Sequence, residues 1–215
     1  MFNSKSHQPP YEGEPLDDAV QRNSASNRKP KILLYDPHNQ ATVAAEILPM
    51  TRAHYQTASS SWVKSFERRS CTREQDDDSW MWNASASQLD LLLHRTDLSS
   101  FALIADTRID GVLFLQREPQ PSRLDPQQFL VYVAYVATAP WNRRDKNGAG
   151  KLRGVGTSLI DWAALISREA KCDGCLGLHS LRSSDPFYES LGFRNLGIDA
   201  ARFGMTYFEL VKRSN

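Results

Sequence analysis

The chain has 215 residues, 40% of them apolar, and 26 basic against 25 acidic side chains, a formal net charge of +1. So even a balance gives no general attraction to nucleic acid or an acidic surface, while the apolar share suffices for the core of one substantial domain. No run approaches the ~18 apolar residues of a membrane span, the first residues lack a secretory signal's apolar stretch, and Cys71, Cys172 and Cys175 build no disulfide framework, so a reducing, cytoplasmic compartment is expected.

Residues 1–30 are polar and proline-containing, with too few large apolar side chains to offset the entropy of ordering. They read as a flexible tail ahead of a single domain over 31–215. KILLY (31–35) reads as a strand. Residues 41–50 fit helix or strand, and 51–69 read as a helix with Trp62 and Phe66 on one face. The acidic run 74–78 reads as a solvated connection ahead of a site for a cationic substrate. Trp80 and Trp82 occupy alternate positions of a strand-like stretch, where packing explains them ahead of a substrate wall. Residues 85–93 read as a second helix, capped by Ser85 or Ser87, with Leu89, Leu92 and Leu93 as its face.

The pattern then turns to strands. FALIAD (101–106) and GVLFLQRE (111–118) read as a hairpin, with Gly111 marking a bulge or a close backbone approach. FLVYVAYVAT (129–138) has no polar face, which predicts a central strand covered on both sides. Tyr132 and Tyr135 read as core residues within it. After the polar loop WNRRDKNGAG, the stretch KLRGVGTSLIDW (151–162) opens a helix whose Val155, Leu159, Trp162, Ala163 and Ile166 form an apolar stripe. Cys172-Asp173-Gly174 turns the chain into CLGLHS (175–180), completing a βαβ unit. The turn accounts for the spacing of Cys172 and Cys175, and without a second pair no metal site is expected. Ser184 or Asp185 caps a short helix with Pro186 in its first turn, which carries FYESLGF and stops at Gly192. GMTYFELV (204–211) reads as the last strand.

Gly154 and Gly156 stand where the long helix begins, although glycine costs about 1 kcal/mol relative to alanine inside a helix. A helix N-terminus offers unpaired N–H groups and the positive end of the macrodipole, and glycines let an anion reach that backbone. Lys151 and Arg153 add charge at the rim. From these residues alone, an anion cradle and a plain turn both stay open. The stretch is neither a P-loop, which needs GxxxxGK[ST], nor a dinucleotide fingerprint, because the third glycine position holds Leu159.

KLRGVG behind a buried strand, with FYESLGF behind the next strand, resembles the GNAT N-acetyltransferase superfamily, closely over 95–211 and more loosely from 31. The resemblance implies an α/β (α+β) fold, with a mixed, mainly antiparallel central sheet flanked by helices and splayed central strands. It implies direct transfer of an acetyl group from acetyl-CoA to a primary amine, without a metal or a covalent enzyme intermediate. By the same resemblance, backbone N–H groups of Arg153, Gly154, Val155, Gly156 and Thr157 cradle the pyrophosphate, with Lys151 at the position of the usual Gln or Arg. Ala137 and Thr138 pair with the pantetheine arm, and Tyr188 protonates the leaving thiolate. The family often forms homodimers, and neither a membrane nor a nucleic acid is an expected partner.

Two departures stand out. The loop between Pro140 and Lys151, with Trp141, Arg143, Arg144 and Lys146, is longer than in simple relatives. The central strand also lacks the glutamate that many relatives use as general base, with Tyr132 and Ala134 in its neighbourhood. His179, whose intrinsic pKa of about 6.5 suits a base, is the nominated replacement. A non-catalytic acyl-CoA-binding module and a toxin acetylating aminoacyl-tRNA remain the alternative functions, the latter disfavoured by the even charge.

Overall fold

The computed structural model describes residues 11, 16, 18, 32–69 (side chains to 62), 95–143 and 150–211. β1 (Ile32–Asp36) and β2 (Ala41–Pro49) pair antiparallel, so the segment that fitted helix or strand is strand over 41–49. Helix α1 (Arg52–Arg69) follows. β3 (Leu98–Ala105) and β4 (Arg108–Gln116) form the expected hairpin, turned at Asp106 and Thr107, whose φ values are both positive. The short β5 (Gln120–Pro121) pairs with the start of β6 (Phe129–Thr138). Helix α2 (Val155–Glu169) leads to β7 (Leu176–Ser180), and α3 (Asp185–Ser190) to β8 (Arg194–Asp199) and β9 (Met205–Leu210). The sheet order is β1-β2-β3-β4-β6-β7-β9-β8, and the β6–β7 pair is parallel while the other pairs are antiparallel. No helix of the described residues is long and apolar enough to cross a membrane.

Each face of the sheet has its own core. The stripe of α2 is fully seated: Val155, Leu159, Trp162, Ala163 and Ile166 are all buried, against Leu103, Leu113, Val131, Val133, Leu178 and Phe208. Burying a leucine or isoleucine of this kind contributes about 1.5–3 kcal/mol. The opposite face packs Tyr55, Ala58 and Trp62 of α1 on Ala102, Val112, Phe114 and Ala137, and the Trp62 indole N–H donates to the Ile109 carbonyl at 3.1 Å.

Gly111 proves to be both a bulge position and a close approach. Asp110 is the extra residue of β4 opposite the Leu103–Ile104 step. A Cβ on Gly111 would lie 2.8 Å from Leu159 Cδ1 and Val155 Cγ1, so the first turns of α2 rest on bare backbone.

Several expectations need correction. β4, not β6, is buried along nearly its whole length. Residues 134–136 of β6 are half-buried because that strand leaves its parallel neighbour after Val133, and Tyr132, still paired with Gly177, is half-buried as well. Ser184 stands at the N-cap of α3, as one of the two expected residues, but without a side-chain capping bond. A 3-10 turn (Arg182–Ser184) runs straight into the helix, and Asp185 Oδ2 accepts from Thr206 Oγ1 at 2.8 Å. Two residues of the stretch read as a tail, Tyr11 and Leu16, pack on the domain. Leu16 has 0% exposure within the α2-side core, and the Tyr11 hydroxyl donates to the Ala170 carbonyl while its ring meets Phe129 at 5.1 Å. Lone apolar residues in a polar stretch carry no periodicity, so nothing in the pattern marks them. Cys71, the acidic run, Trp80, Trp82, the helix expected over 85–93, Arg144, Lys146 and the Phe66 side chain lie outside the described residues.

Candidate active site

β6 and β7 run side by side only from Val131–Val133 against Leu176–Leu178. Beyond this point β6 continues to Thr138 beside β4 alone. The parting has a local cause. Ala134 is an extra residue in the β4–β6 ladder, between the Phe114–Tyr135 and Leu115–Val133 pairs. A bulge bends its strand and raises its twist, and this one sits directly past the last β6–β7 pair. The result is a fork between two parallel strands.

The N-terminus of α2 opens beside the fork. Gly154 precedes the helix with φ 93°, a conformation glycine adopts without a Cβ penalty. The first intrahelical bond runs from Ser158 N–H to the Gly154 carbonyl at 2.9 Å, so the N–H groups of Val155, Gly156 and Thr157 have no partner within the helix. A Cβ on Gly156 would stand 3.1 Å from Phe187 Cζ and 3.7 Å from Thr138 Cγ2, which sets this turn between α3 and the free end of β6.

The residues ahead of the helix are tied down. Arg153 N–H donates to the Tyr35 carbonyl at 2.8 Å and Tyr35 N–H returns a bond to the Arg153 carbonyl at 3.2 Å. Lys151 N–H donates to the Trp141 carbonyl at 2.8 Å, and Leu152 N–H to Asn142 Oδ1 at 3.0 Å. Asp110, the buried bulge residue, accepts on Oδ1 from Trp141 Nε1 at 2.6 Å and from Asn142 Nδ2 at 2.8 Å. Ala139 N–H donates to the Asp110 carbonyl at 2.8 Å. The hairpin bulge thereby fixes Trp141 and Asn142, and these two hold the loop before α2.

This wiring revises two expected donors. The Arg153 N–H is spent on Tyr35, which leaves Val155, Gly156 and Thr157 as the open set; Lys151 and Arg153 contribute exposed side chains at the rim. Ala137 is also committed. Backbone groups alternate along a strand, so with Ala139 bonded to β4, Ala137 turns the same way, in register with Val112. Val136 and Thr138 turn toward the fork, where the Thr138 carbonyl receives a long bond from Arg143 Nε at 3.4 Å.

Tyr188 is 6% exposed on the α2 side of the sheet, ringed by Phe187, Phe193 and Phe208 with centroids 5.1–5.8 Å away. Its neighbour Phe187 is the ring that approaches Gly156.

His179 lies on the other face, where Tyr132 and Tyr207 also stand. Its side chain is 4% exposed and both ring nitrogens are engaged: Nδ1 with the Tyr132 hydroxyl at 2.7 Å, Nε2 with Asp199 Oδ2 at 3.1 Å. Burial pushes its pKa below the ordinary 6.5, against the Asp199 hydrogen bond, which raises it. The Arg123 guanidinium, bonded to Asp199 Oδ2 at 2.8 Å, together with His179 holds the Asp199 carboxyl down at about 2. Arg123 lies 3.9 Å above the Tyr207 ring, and the Tyr207 hydroxyl donates to buried Glu209 at 2.8 Å. Glu209 also accepts from Ser122 Oγ at 2.6 Å and from Arg123 N–H at 2.7 Å. Cys172 and Cys175 are buried in their turn, and burial raises the Cys172 thiol to about 11.

Sequence reasoning missed Tyr35, Asp110, Asn142, Arg123, Asp199 and Glu209. Asp110 alone left a local signal, a carboxylate beside a glycine inside an apolar strand.

Solved structures share this architecture. The GNAT domain of S. lividans PAT superposes with a TM-score of 0.54 at 12% identity, over 86% of this chain and 97% of its own. The fold is that of the GNAT acetyltransferases. Histone acetyltransferase HPA2 and related acetyltransferase from Corynebacterium glutamicum superposes with a TM-score of 0.52 at 17% identity, over 80% of this chain and 98% of its own. PaiA N-acetyltransferase from Thermoplasma acidophilum, in complex with coenzyme A, matches at 0.50 and 14% identity, over 78% and 99%. No protein-family model and no curated protein sequence matches the chain. The mixed sheet and parting central strands expected from the sequence are thus those of a GNAT fold.

Proposed function

We propose that this chain moves an acetyl group from acetyl-CoA directly to a primary amine. The observation that carries the reading is the continuity of the helix start with the fork: three N–H groups at Val155–Thr157 without partners in the helix, then Thr138, then the gap where β6 leaves β7. A phosphate belongs at such a helix terminus, and an extended arm can pair with the free edge of a strand. The residues fit the cosubstrate on two counts. Gly156 keeps bare backbone where a Cβ would crowd Phe187, and the edge of β6 beyond Val133 is free of β7.

In this reading Val155, Gly156 and Thr157 hold the pyrophosphate, with Lys151 and Arg153 supplying charge at the rim. The backbone groups of Val136 and Thr138 align the pantetheine arm. Bound acetyl-CoA supplies the activated acyl group. Fixing amine and thioester in one cleft removes much of the entropic barrier to their reaction. The Tyr188 hydroxyl, in the helix whose Phe187 borders Gly156, provides the proton for the departing sulfur.

Titration calorimetry with acetyl-CoA, followed by thiol release across a panel of primary amines, tests the proposal. Binding with turnover on at least one amine is expected, and no binding at high micromolar acetyl-CoA would sink it. Binding without turnover on any amine would favour an acyl-CoA-binding module on the same fold.

A further inference from the structure

The direct base expected at His179 conflicts with its surroundings, because a side chain 4% exposed with both nitrogens engaged has no lone pair for a substrate. The same contacts fix its tautomer. The Asp199 carboxylate only accepts hydrogen bonds, so His179 Nε2 carries the hydrogen that meets it. A neutral imidazole has one N–H, so Nδ1 is bare and accepts from the Tyr132 hydroxyl. Tyr132 is half-buried and stands one residue before the last β6–β7 pair. His179 follows Leu178 of that pair. Tyr132 and His179 therefore meet at the base of the fork, and the chain runs from Tyr132, on the strand that departs, across the sheet to Asp199 on β8.

We propose that Tyr132 takes the proton of the attacking amine, and that His179 and Asp199 are positioning residues acting through it. The inference rests on the acetyltransferase reading. As the amine nitrogen bonds to the thioester carbon and the carbon–sulfur bond breaks, the surplus amine proton passes to Tyr132 Oη. The original hydroxyl proton of Tyr132 passes to His179 Nδ1. The imidazolium so formed keeps its Nε2–H on the Asp199 carboxylate. The sulfur leaves as thiolate and takes a proton from Tyr188. Afterwards His179 loses its proton through Tyr132 to water and Tyr188 regains one from water, so the site ends as it began.

The charges around the imidazole suit a transient acceptor. Asp199 of β8 faces it directly, Tyr132 of β6 and Tyr207 of β9 flank it, the latter with its centroid 4.7 Å away, and Arg123 and Arg202 stand beyond. Burial raises Tyr132 above its ordinary value of 10.0, so it works as a neutral hydroxyl that passes one proton while receiving another. Burial, Arg123 and Arg202 hold His179 below 6.5, so Nδ1 is free to accept at neutral pH. The serial arrangement replaces a strand carboxylate with a hydroxyl backed by a buried imidazole–carboxylate pair.

Two measurements on the full chain decide it. In the wild type, nitrogen-detected NMR of the imidazole should show His179 as the Nε2–H tautomer; an Nδ1–H tautomer overturns the relay whatever the enzyme does. Kinetics use the primary amine giving the fastest thiol release. Tyr132→Phe should lower kcat by about 100-fold or more, the scale of general base catalysis, with acetyl-CoA affinity by calorimetry unchanged. Asp199→Asn removes the group that raises His179, so the acid limb of its kcat–pH profile should move to lower pH as the plateau falls. A purely structural role for Asp199 would leave that limb in place. Wild-type kcat in Tyr132→Phe, or an unmoved limb in Asp199→Asn, overturns the relay and leaves the transferase reading standing, whereas a wild-type chain that binds no acetyl-CoA overturns both.

Discussion

Gly154→Ala and Gly156→Ala form a pair that separates backbone strain from helix propensity within one turn. Gly154 has φ 93°, and the nearest atom to an added methyl is Leu34 Cδ2 at 3.7 Å, an ordinary contact. Alanine there meets no clash, only the cost of a left-handed backbone, about 1–2 kcal/mol. At about 2–4 °C of Tm per kcal/mol for a chain of this size, Tm should fall by about 2–8 °C. Gly156 has helical geometry, and its methyl would press Phe187 Cζ at 3.1 Å, a few tenths of an ångström that a ring edge can yield. The gain in helix propensity, about 1 kcal/mol, offsets that pressure, so its Tm should hold or rise. Both substitutions should weaken acetyl-CoA. Losing one charge-assisted bond of about 1.5–3 kcal/mol raises Kd about 10- to 150-fold. Differential scanning calorimetry and titration calorimetry on the same samples check both. An unchanged Tm in Gly154→Ala, or equal falls in the two variants, refutes the assignment of strain to Gly154. Unchanged affinity in both refutes the cradle.

Leu16→Ala should cost about 2–5 kcal/mol in urea unfolding, the ordinary loss for a buried leucine, where a free tail would show none. Asp110→Ala should cost about 1–3 kcal/mol by orphaning the Trp141 and Asn142 donors, and should weaken acetyl-CoA although Asp110 sits a loop away from the helix start; calorimetry reads both. Stability should depend on pH through His179. Its folded-state pKa lies below 6.5, so the folded chain binds fewer protons there than the unfolded one, and this contribution is full above 6.5 and lost as pH falls through that value toward the lowered one. Thermal melts across that range should show the fall in the wild type and not in His179→Gln.

What the sequence discloses divides along a physical line. The stripe from Val155 to Ile166, the hairpin, and the run from Phe129 to Thr138 are local patterns of period 3.6 or 2, and each stands where its periodicity puts it. The glycine pair is legible for the same reason, since its signal lies within one turn. β8 (RNLGID) is not legible, because an edge strand with nearly every side chain exposed carries no apolar alternation. The commitment of Ala137 depends on a bulge three residues earlier, and a one-residue slip reverses which way every later side chain faces. The Tyr132–His179–Asp199–Arg123 chain joins three strands and a loop, residues brought together only by the order of the sheet. His179 itself stands out in the sequence, but its two partners, which decide what it can do, leave no mark there.

The anchoring of the insertion has a consequence for how this protein can vary. One end is held where Asp110 grips Trp141 and Asn142, and the other at Gly150, whose Cβ would fall 2.2 Å from the Asn142 carbonyl oxygen. A glycine at 150 is therefore a closure condition, and the two ends of the loop meet at Trp141 and Asn142. With that clasp kept, a change in the length or composition of 144–149 should leave the helix start in place. Grafts between the two ends should therefore leave the backbone at the start of α2 in register.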